Sequence, residues 1–208
     1  MTILGCITKY NASDIRPYVE SIEQTGYKGR KVMLVYDVPQ ETIDYLKSKG
    51  WDLFGGELQQ HIILQRFRDL YKILGSEIKG TVIWTDVKDV IFQKDPTDWI
   101  DENMDGEIMS FSECITFKDD PWACVNAGTS FPMEWEWLQN KTSYCAGTIV
   151  GDACYIRDLF IDIYRWSLTT ANQEQLSDQA AYNVLINLHH ISDCIQKVNQ
   201  EEGFVTQL

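Results

Sequence analysis

The sequence lacks the loops with which the commonest nucleotide-binding folds cradle phosphate. Neither G-x-x-x-x-G-K-[ST] nor G-x-G-x-x-G occurs, which argues against P-loop and dinucleotide-binding enzymes. No G-x-S-x-G is present, which counts against the usual serine hydrolase pattern. The six cysteines, at positions 6, 114, 124, 145, 154 and 194, form no C-x-x-C pair, so a zinc ribbon is not expected. The N-terminus, Met1-Thr2-Ile3-Leu4-Gly5-Cys6-Ile7, has no basic region and no long apolar stretch. It reads as a first strand, not a signal peptide. No segment approaches the ~20 apolar residues of a membrane span. Basic residues are in the minority, 18 Lys and Arg against 31 Asp and Glu, for a net charge of −13. Such a chain is not expected to hold a phosphate backbone unaided, so nucleic acid is not an expected partner. A small anionic ligand remains open if a metal and a few local bases serve it. Free thiols and a cytoplasmic location are the default expectation.

What is present suits one well-packed core. The chain has 208 residues, enough for one domain and not clearly for two. Its seven Trp and ten Tyr serve as core filling or as sugar-stacking surface. The first half alternates regularly. Ile3–Thr8, Lys31–Tyr36, Trp51–Phe54 and Thr81–Thr85 read as strands. Helices lie between them: one capped by Ser13 or Asp14 and running to about Gln24, then Gln40–Lys49, then Leu58 to about Glu77. The expected fold class is therefore α/β, a single domain with a mainly parallel central sheet flanked by helices. Further on, Pro96–Asn103, Asp152–Trp166 and Asp178–Leu188 read as helices. Tyr155, Ile156, Leu159, Phe160 and Ile163 fall on one side of the second. Gly106–Ser112 and Ala146–Val150 read as strands, whereas 113–144 shows no clean period. An irregular stretch of that length is usually functional or mobile. The end at Gln207-Leu208 carries no closing signal, which also suits one module of a longer polypeptide.

The chemistry-bearing residues gather at strand ends. Thr81-Val82-Ile83-Trp84-Thr85 stops abruptly at Asp86, and Asp89 follows. In open α/β sheets ligands bind at the carboxyl ends of strands, and hard divalent cations want carboxylate oxygens. The same residue types equally suit a turn. Thr8-Lys9-Tyr10-Asn11 follows the first strand and Tyr36-Asp37 the second. Both pairs sit on the rim of Asp86, where an aromatic with an amide or carboxylate suits a nucleobase, and both are equally natural turn residues. In the long helix, Ile62, Ile63, Phe67, Leu70, Tyr71 and Leu74 form an apolar stripe, and Arg66 falls inside it. An inward cation needs an anionic partner or a route to water. Either an ion pair with Asp86 or Asp89, or a ligand diphosphate, answers that need. Ser177-Asp178-Gln179 opens a helix, for which an N-cap and a first-turn acid are explanation enough. His189-His190 suits either a helix C-terminus or a metal, with the helix end favoured.

Three segments together resemble the GT-A glycosyltransferases. They are Trp84-Thr85-Asp86-Val87-Lys88-Asp89-Val90-Ile91-Phe92, Tyr144-Cys145-Ala146-Gly147-Thr148-Ile149-Val150, and Ser177-Asp178-Gln179-Ala180-Ala181-Tyr182-Asn183. They look like that family's metal-binding acidic motif, its small-residue strand beneath the donor sugar and its helix-opening Asp-Gln. Within the family the chain looks most like chlorella-virus enzymes that build capsid-protein glycans. The resemblance implies transfer of a hexosyl group from a nucleoside diphosphate sugar, a UDP-sugar foremost, to a hydroxyl of a glycan or glycoprotein. It implies Mn²⁺ or Mg²⁺ on Asp86 and Asp89. The spacing here is Asp-x-x-Asp where the family has Asp-x-Asp, which leaves open which aspartate takes the metal and which the ribose. Donor-binding residues would be Thr8, Tyr10, Asn11, Tyr36, Asp37, Arg66, Asp86, Lys88, Ala146, Gly147 and Gln179. Asp178 would be catalytic, orienting the reacting sugar. Residues 1–95 would form the nucleotide half and 96–208 the acceptor half. The viral likeness implies retention of configuration and a host-cytoplasmic location. Two other readings use the same architecture: a nucleotidyltransferase that makes a nucleotide sugar, and a non-catalytic sugar- or partner-binding module. The first usually has a glycine-rich basic loop after the first strand, where this chain has Tyr10-Asn11-Ala12-Ser13.

Overall fold

The computed structural model describes residues 1–170, 177–189, 193–199 and 203–207. Strand β1 (Thr2–Thr8) is buried along most of its length, as a central strand covered on both faces must be. Helix α1 (Ala12–Gln24) follows and turns Ile15, Tyr18, Val19 and Ile22 inward. Its cap is Asn11, whose backbone N–H donates to the Asp14 carboxylate, so the helix starts before the Ser13 or Asp14 expected. Next come β2 (Arg30–Tyr36), α2 (Gln40–Ser48), β3 (Asp52–Gly55), α3 (Ile62–Ile73) and β4 (Thr81–Thr85).

Helix α3 is shorter than the sequence pattern suggests, for a local reason. The fully buried Gln65 accepts the backbone N–H groups of Gln59 and Gln60 and donates to the Glu57 carbonyl. That ties the 57–60 segment into a turn ahead of the helix. At the other end Leu74 is extended and Gly75 has φ +80°, which glycine adopts without strain.

The second half supplies β5 (Val90–Phe92), α4 (Pro96–Asn103), β6 (Ile108–Thr116), α5 (Pro121–Ser130), α6 (Trp135–Leu138) and β7 (Thr142–Asp152). Helices α7 (Ala153–Ser167) and α8 (Asp178–Leu188) follow, then strands β8 (Ile195–Asn199) and β9 (Val205–Gln207). The stretch without a clean period thus holds two α-helices and a short 3-10 helix, Phe117–Asp119. Asp120 caps α5 by accepting from the N–H groups of Trp122 and Ala123, as Asp95 caps α4 by accepting from Thr97. Both are Asp-Pro starts, with proline pre-set for the first helical turn. Tyr155 on α7 is exposed rather than inward. The strands β8 and β9 were not anticipated.

Seven strands among the described residues form one sheet in the order β3-β2-β1-β4-β7-β6-β8. Strand β7 is antiparallel to both its neighbours, and the other pairs are parallel. Strands β5 and β9 form a separate antiparallel ribbon. Two apolar layers cover the sheet. Ile3 and Ile7 of β1 face α1 and the ribbon, whereas Leu4 faces α3, α7 and α8. The alternation of a strand therefore also turns Cys6 and Thr8 toward α3, where the cavity described below opens. Trp84 is completely buried, edge-on to Phe160 and tilted against Phe67 at 5.5 and 6.0 Å. Truncating such a side chain typically costs about 3–5 kcal/mol.

Candidate active site

The end of β4 is pinned from three sides. Trp84 Nε1 donates to the Ala146 carbonyl at 2.9 Å, and the Asp86 N–H donates to the Gly147 carbonyl at 2.7 Å. The Thr85 hydroxyl is 2.7 Å from the buried Tyr18 hydroxyl. The loop beyond then crosses β1 at Gly5. A Cβ at Gly5 would lie 2.8 Å from Val87 Cγ2, so glycine is what lets Val87 seat in the core. With Val87 buried between them, Asp86 on one side and Lys88 and Asp89 on the other line a cavity of about 630 Å³.

The cavity collects most of the residues that the sequence singled out. From β1 come Thr8 and, just beyond the strand, Tyr10; from α3 comes Arg66. Ala146 and Gly147 contribute from β7, and Asp178 and Gln179 from the start of α8. Helix α8 is clipped to β7 by Asn183, whose amide accepts the Tyr144 N–H at 2.9 Å and donates to the Tyr144 carbonyl at 2.7 Å. The buried Tyr182 adds a hydroxyl contact to Ser110 on β6. Ser177 makes no side-chain cap bond, so the position of Asp178 rests on these clips and on Arg66.

Arg66 is the centre of the site. Its Nη1 donates to Asp86 Oδ1 at 2.7 Å and its Nη2 to Asp178 Oδ2 at 2.6 Å. The guanidinium stacks over Phe67 and Trp84 at 4.9 and 5.3 Å. Burial works against the Arg66 charge, yet the Asp86 and Asp178 carboxylates outweigh it and hold the group above its ordinary range. Burial pushes the Asp178 carboxyl upward, against the pull of Arg66. Asp89 is also raised, by burial first and then by the neighbouring Asp86 charge. Two polar atoms of the wall, Thr8 Oγ1 and Arg66 Nε, are buried without a hydrogen-bond partner among the described residues. Such groups cost free energy unless something satisfies them, and both belong to residues that line the cavity.

Three expected donor-binding residues do not line this cavity. Asn11 caps α1, and Asp37 is an exposed turn residue at φ +50°. Tyr36 is buried, and its hydroxyl donates to Asp69 at 2.8 Å beside a smaller cavity of about 270 Å³. The Lys9 N–H donates to the Tyr36 carbonyl, so the loops after β1 and β2 are joined at the backbone. His189 lies edge-on to Trp166 at 4.7 Å and does not line the cavity. His190 lies outside the described residues. Sequence reasoning passed over Cys6, which lines the cavity and whose thiol burial pushes up to about 12. It also passed over Glu113, a partner of Gln179. The half-exposed Trp122 of α5, which opens the aromatic stretch 122–137 that suits a sugar- or partner-binding surface, lines the cavity as well. Among the described residues no three His, Cys, Asp or Glu side chains converge on a metal position. Asp86 and Asp89 supply neighbouring carboxylates on the cavity wall, which fits a cation such as Mg²⁺ or Mn²⁺ that takes one or two carboxylates and completes its shell on substrate phosphate.

No family model matches the chain, and no curated protein matches it in sequence. A solved structure does resemble it: the galactosyltransferase LgtC in complex with donor and acceptor sugar analogues. The likeness has a TM-score of 0.68 and covers 96% of this chain and 73% of that one, at 14% identity. The chain has the GT-A fold. That likeness supports the fold and not the narrower viral resemblance. No helix among the described residues is long and apolar enough to cross a membrane.

Proposed function

We propose that the protein is a glycosyltransferase that moves a hexosyl group from a nucleoside diphosphate sugar, foremost a UDP-sugar, to a hydroxyl of a glycan or glycoprotein. The observation that carries this reading is the joining of Asp86 and Asp178 through Arg66 in one cavity at the strand-end rim of a GT-A fold. Asp86 and Asp89 would hold Mn²⁺ or Mg²⁺, which when bound neutralises charge on the leaving diphosphate as a Lewis acid. Thr8 and Tyr10 take the nucleoside side, and Lys88, whose ammonium lies 5.8 Å from the Tyr10 ring centre, adds positive charge beside the phosphates. The residues before β5 thus serve the nucleotide and those after it the sugar and acceptor. Asn11, Tyr36 and Asp37 shape the nucleoside-side loops from behind.

Arg66 acts by positioning. Both ends of its fork are engaged by carboxylates, so it fixes the distance between the metal-side Asp86 and the sugar-side Asp178. Asp178 and Gln179 orient the donor sugar over the small Ala146-Gly147 surface. In the transfer, the bond from the anomeric carbon to the diphosphate oxygen breaks and a bond to the acceptor oxygen forms. Asp178, clamped by Arg66, orients the sugar and does not take the acceptor proton. That proton passes to the leaving diphosphate, the course expected with retention. A chlorella-virus-like glycan pathway in a host cytoplasm is compatible with this reading.

The test is a panel of nucleotide sugars with Mn²⁺ or EDTA, read by thermal shift and by release of nucleoside diphosphate. Ligands that bind the native state raise its melting temperature by mass action. Metal-dependent release is expected for at least one sugar. A melting shift without release would leave a binding module, and the absence of both effects would overturn the reading.

A further inference from the structure

We infer that Glu113 is a positioning residue that decides which end of the Gln179 amide faces the cavity. The inference rests on the glycosyltransferase reading for its kinetic consequence, though not for its geometry. Gln179 Nε2 donates to Glu113 Oε1 at 3.1 Å, and the Ser143 hydroxyl, wholly buried on β7, donates to Glu113 Oε2 at 2.6 Å. An ionised carboxylate only accepts hydrogen bonds, so the Gln179 atom beside it must be the NH₂ group. The carbonyl oxygen of the same amide is thereby turned away from Glu113. It has no protein partner among the described residues, and Gln179 lines the cavity. A side-chain amide is nearly the same shape in its two orientations. Without a fixed acceptor such as Glu113 it is free to present either a donor or an acceptor to a ligand.

The backbone around Glu113 is built to aim it. The β6–β7 register shifts between Ser112 and Thr116, and such bulges re-aim side chains. Cys114 sits at φ +56° although it is exposed and is not glycine. Its N–H donates to the Ser112 hydroxyl at 3.2 Å. A non-glycine residue in the left-handed region carries strain that surrounding structure must hold. Here that strain lies next to the one carboxylate that grips Gln179. The consequence is a site that offers a hydrogen-bond acceptor to a sugar hydroxyl, and so prefers a sugar bearing a hydroxyl there over a deoxy or deoxyfluoro sugar.

Two experiments test this, one of which needs no substrate. In the first, ¹⁵N-resolved NMR follows the Gln179 side-chain NH₂ signals, assigned with Gln179→Glu. In the parent one of the two NH₂ protons, held by Glu113 Oε1, should exchange more slowly with water than the other. In Glu113→Gln, which keeps an acceptor for Ser143, that protection should be lost and the signals should shift. Gln179 signals identical in parent and Glu113→Gln overturn the inference, whatever the protein's activity. In the second, Glu113→Gln should melt like the parent and bind nucleoside diphosphate equally well. It should turn over the nucleotide sugar found by the panel on the order of 10-fold more slowly, as expected for a misaligned contact. In a Gln179→Ala background the same change should cost nothing further. Additive losses would mean that Glu113 acts without Gln179 and would overturn the inference. Absence of turnover in the parent would fail the glycosyltransferase reading and leave the NMR result to decide this one.

Discussion

Arg66 donates to Asp178 across 2.6 Å, although 112 residues separate them in the chain. Its other fork nitrogen reaches Asp86 at 2.7 Å. The side chain of Asp178 is 8% exposed and that of Asp86 34%, so the pair on the sugar side is the drier one. Removing one partner of a buried pair is more damaging than the pair is stabilising, because the remaining charge loses its compensation.

Arg66→Met should therefore destabilise the protein by about 2–4 kcal/mol, a fall of roughly 5–15 °C in melting temperature for a chain of this size. Arg66→Lys keeps the charge but not the planar fork that spans two carboxylates. It should melt closer to the parent yet turn over donor poorly. Thermal melting alongside nucleoside diphosphate release separates the two effects. A lysine variant with parental turnover would remove the positioning role of the fork.

Nucleoside diphosphate binding should be coupled to metal. Two carboxylates hold Mn²⁺ weakly alone, and the diphosphate completes the shell. Isothermal titration should show binding tighter by at least about 10-fold in Mn²⁺ than in EDTA, a difference of roughly 1.4 kcal/mol. Asp89→Asn should abolish the difference with little change in melting, since burial first, and then the Asp86 charge beside it, already disfavours the ionised Asp89. Asp86→Asn should abolish it and also lower the melting temperature, because Arg66 loses a partner. Equal affinity in both buffers would end the metal assignment.

How far the sequence reveals this site depends on whether the signal is local. The strand that breaks off at Asp86 is visible because five β-formers precede two acids, and it spans the residues expected. Arg66 is visible because a helical period makes an inward cation stand out, and it does face inward. That Asp178 would be its partner is not visible, because nothing in a helix-opening acid names a residue more than a hundred positions earlier. Gln65 reads as a surface residue by type, yet it is wholly buried and spends its amide on the 57–60 turn. Glu113 lies in a stretch whose bulge and strained Cys114 hide the strand period. The ribbon of β5 and β9 joins two three-residue strands far apart in sequence, too short to leave a pattern.

Asp69 should make stability depend on pH. Burial alone would raise its carboxyl, but hydrogen bonds from Arg68, Lys72, Tyr36 and Gln65 bring it down to about 2. A folded-state value below the ordinary 3.8 gives stability that is present above about pH 4 and is lost as pH falls toward 2. The side chain is only 16% exposed, so solvent screening reduces the effect without removing it. Asp69→Asn should cost on the order of 1–2 kcal/mol at pH 7. Urea unfolding at pH 7, 4 and 3 checks this: the gap between parent and variant should narrow as pH falls. A gap that stays constant would mean that shape, not charge, makes Asp69 matter.

Asp178→Asn separates helix capping from catalysis. As a first-turn acid of α8 the residue would tolerate asparagine almost without loss. Its contact with Arg66 makes some loss certain, because a charge-assisted hydrogen bond becomes one to a neutral amide. The amide still presents an oxygen to Nη2, so the cost should stay near 1–2 kcal/mol, roughly 2–8 °C in melting temperature. Binding of nucleoside diphosphate should persist, since Asp86, Asp89, Thr8 and Tyr10 are untouched. Turnover should fall on the order of 100-fold, the scale of a misplaced reacting group. The assay is nucleoside diphosphate release with water as the slow acceptor, run well below both melting temperatures. Folding then cannot account for a lost rate, and no knowledge of the true acceptor is needed. Parental turnover in Asp178→Asn would reduce the residue to an ion-pair partner of Arg66 and move the search for the sugar-orienting group to Gln179.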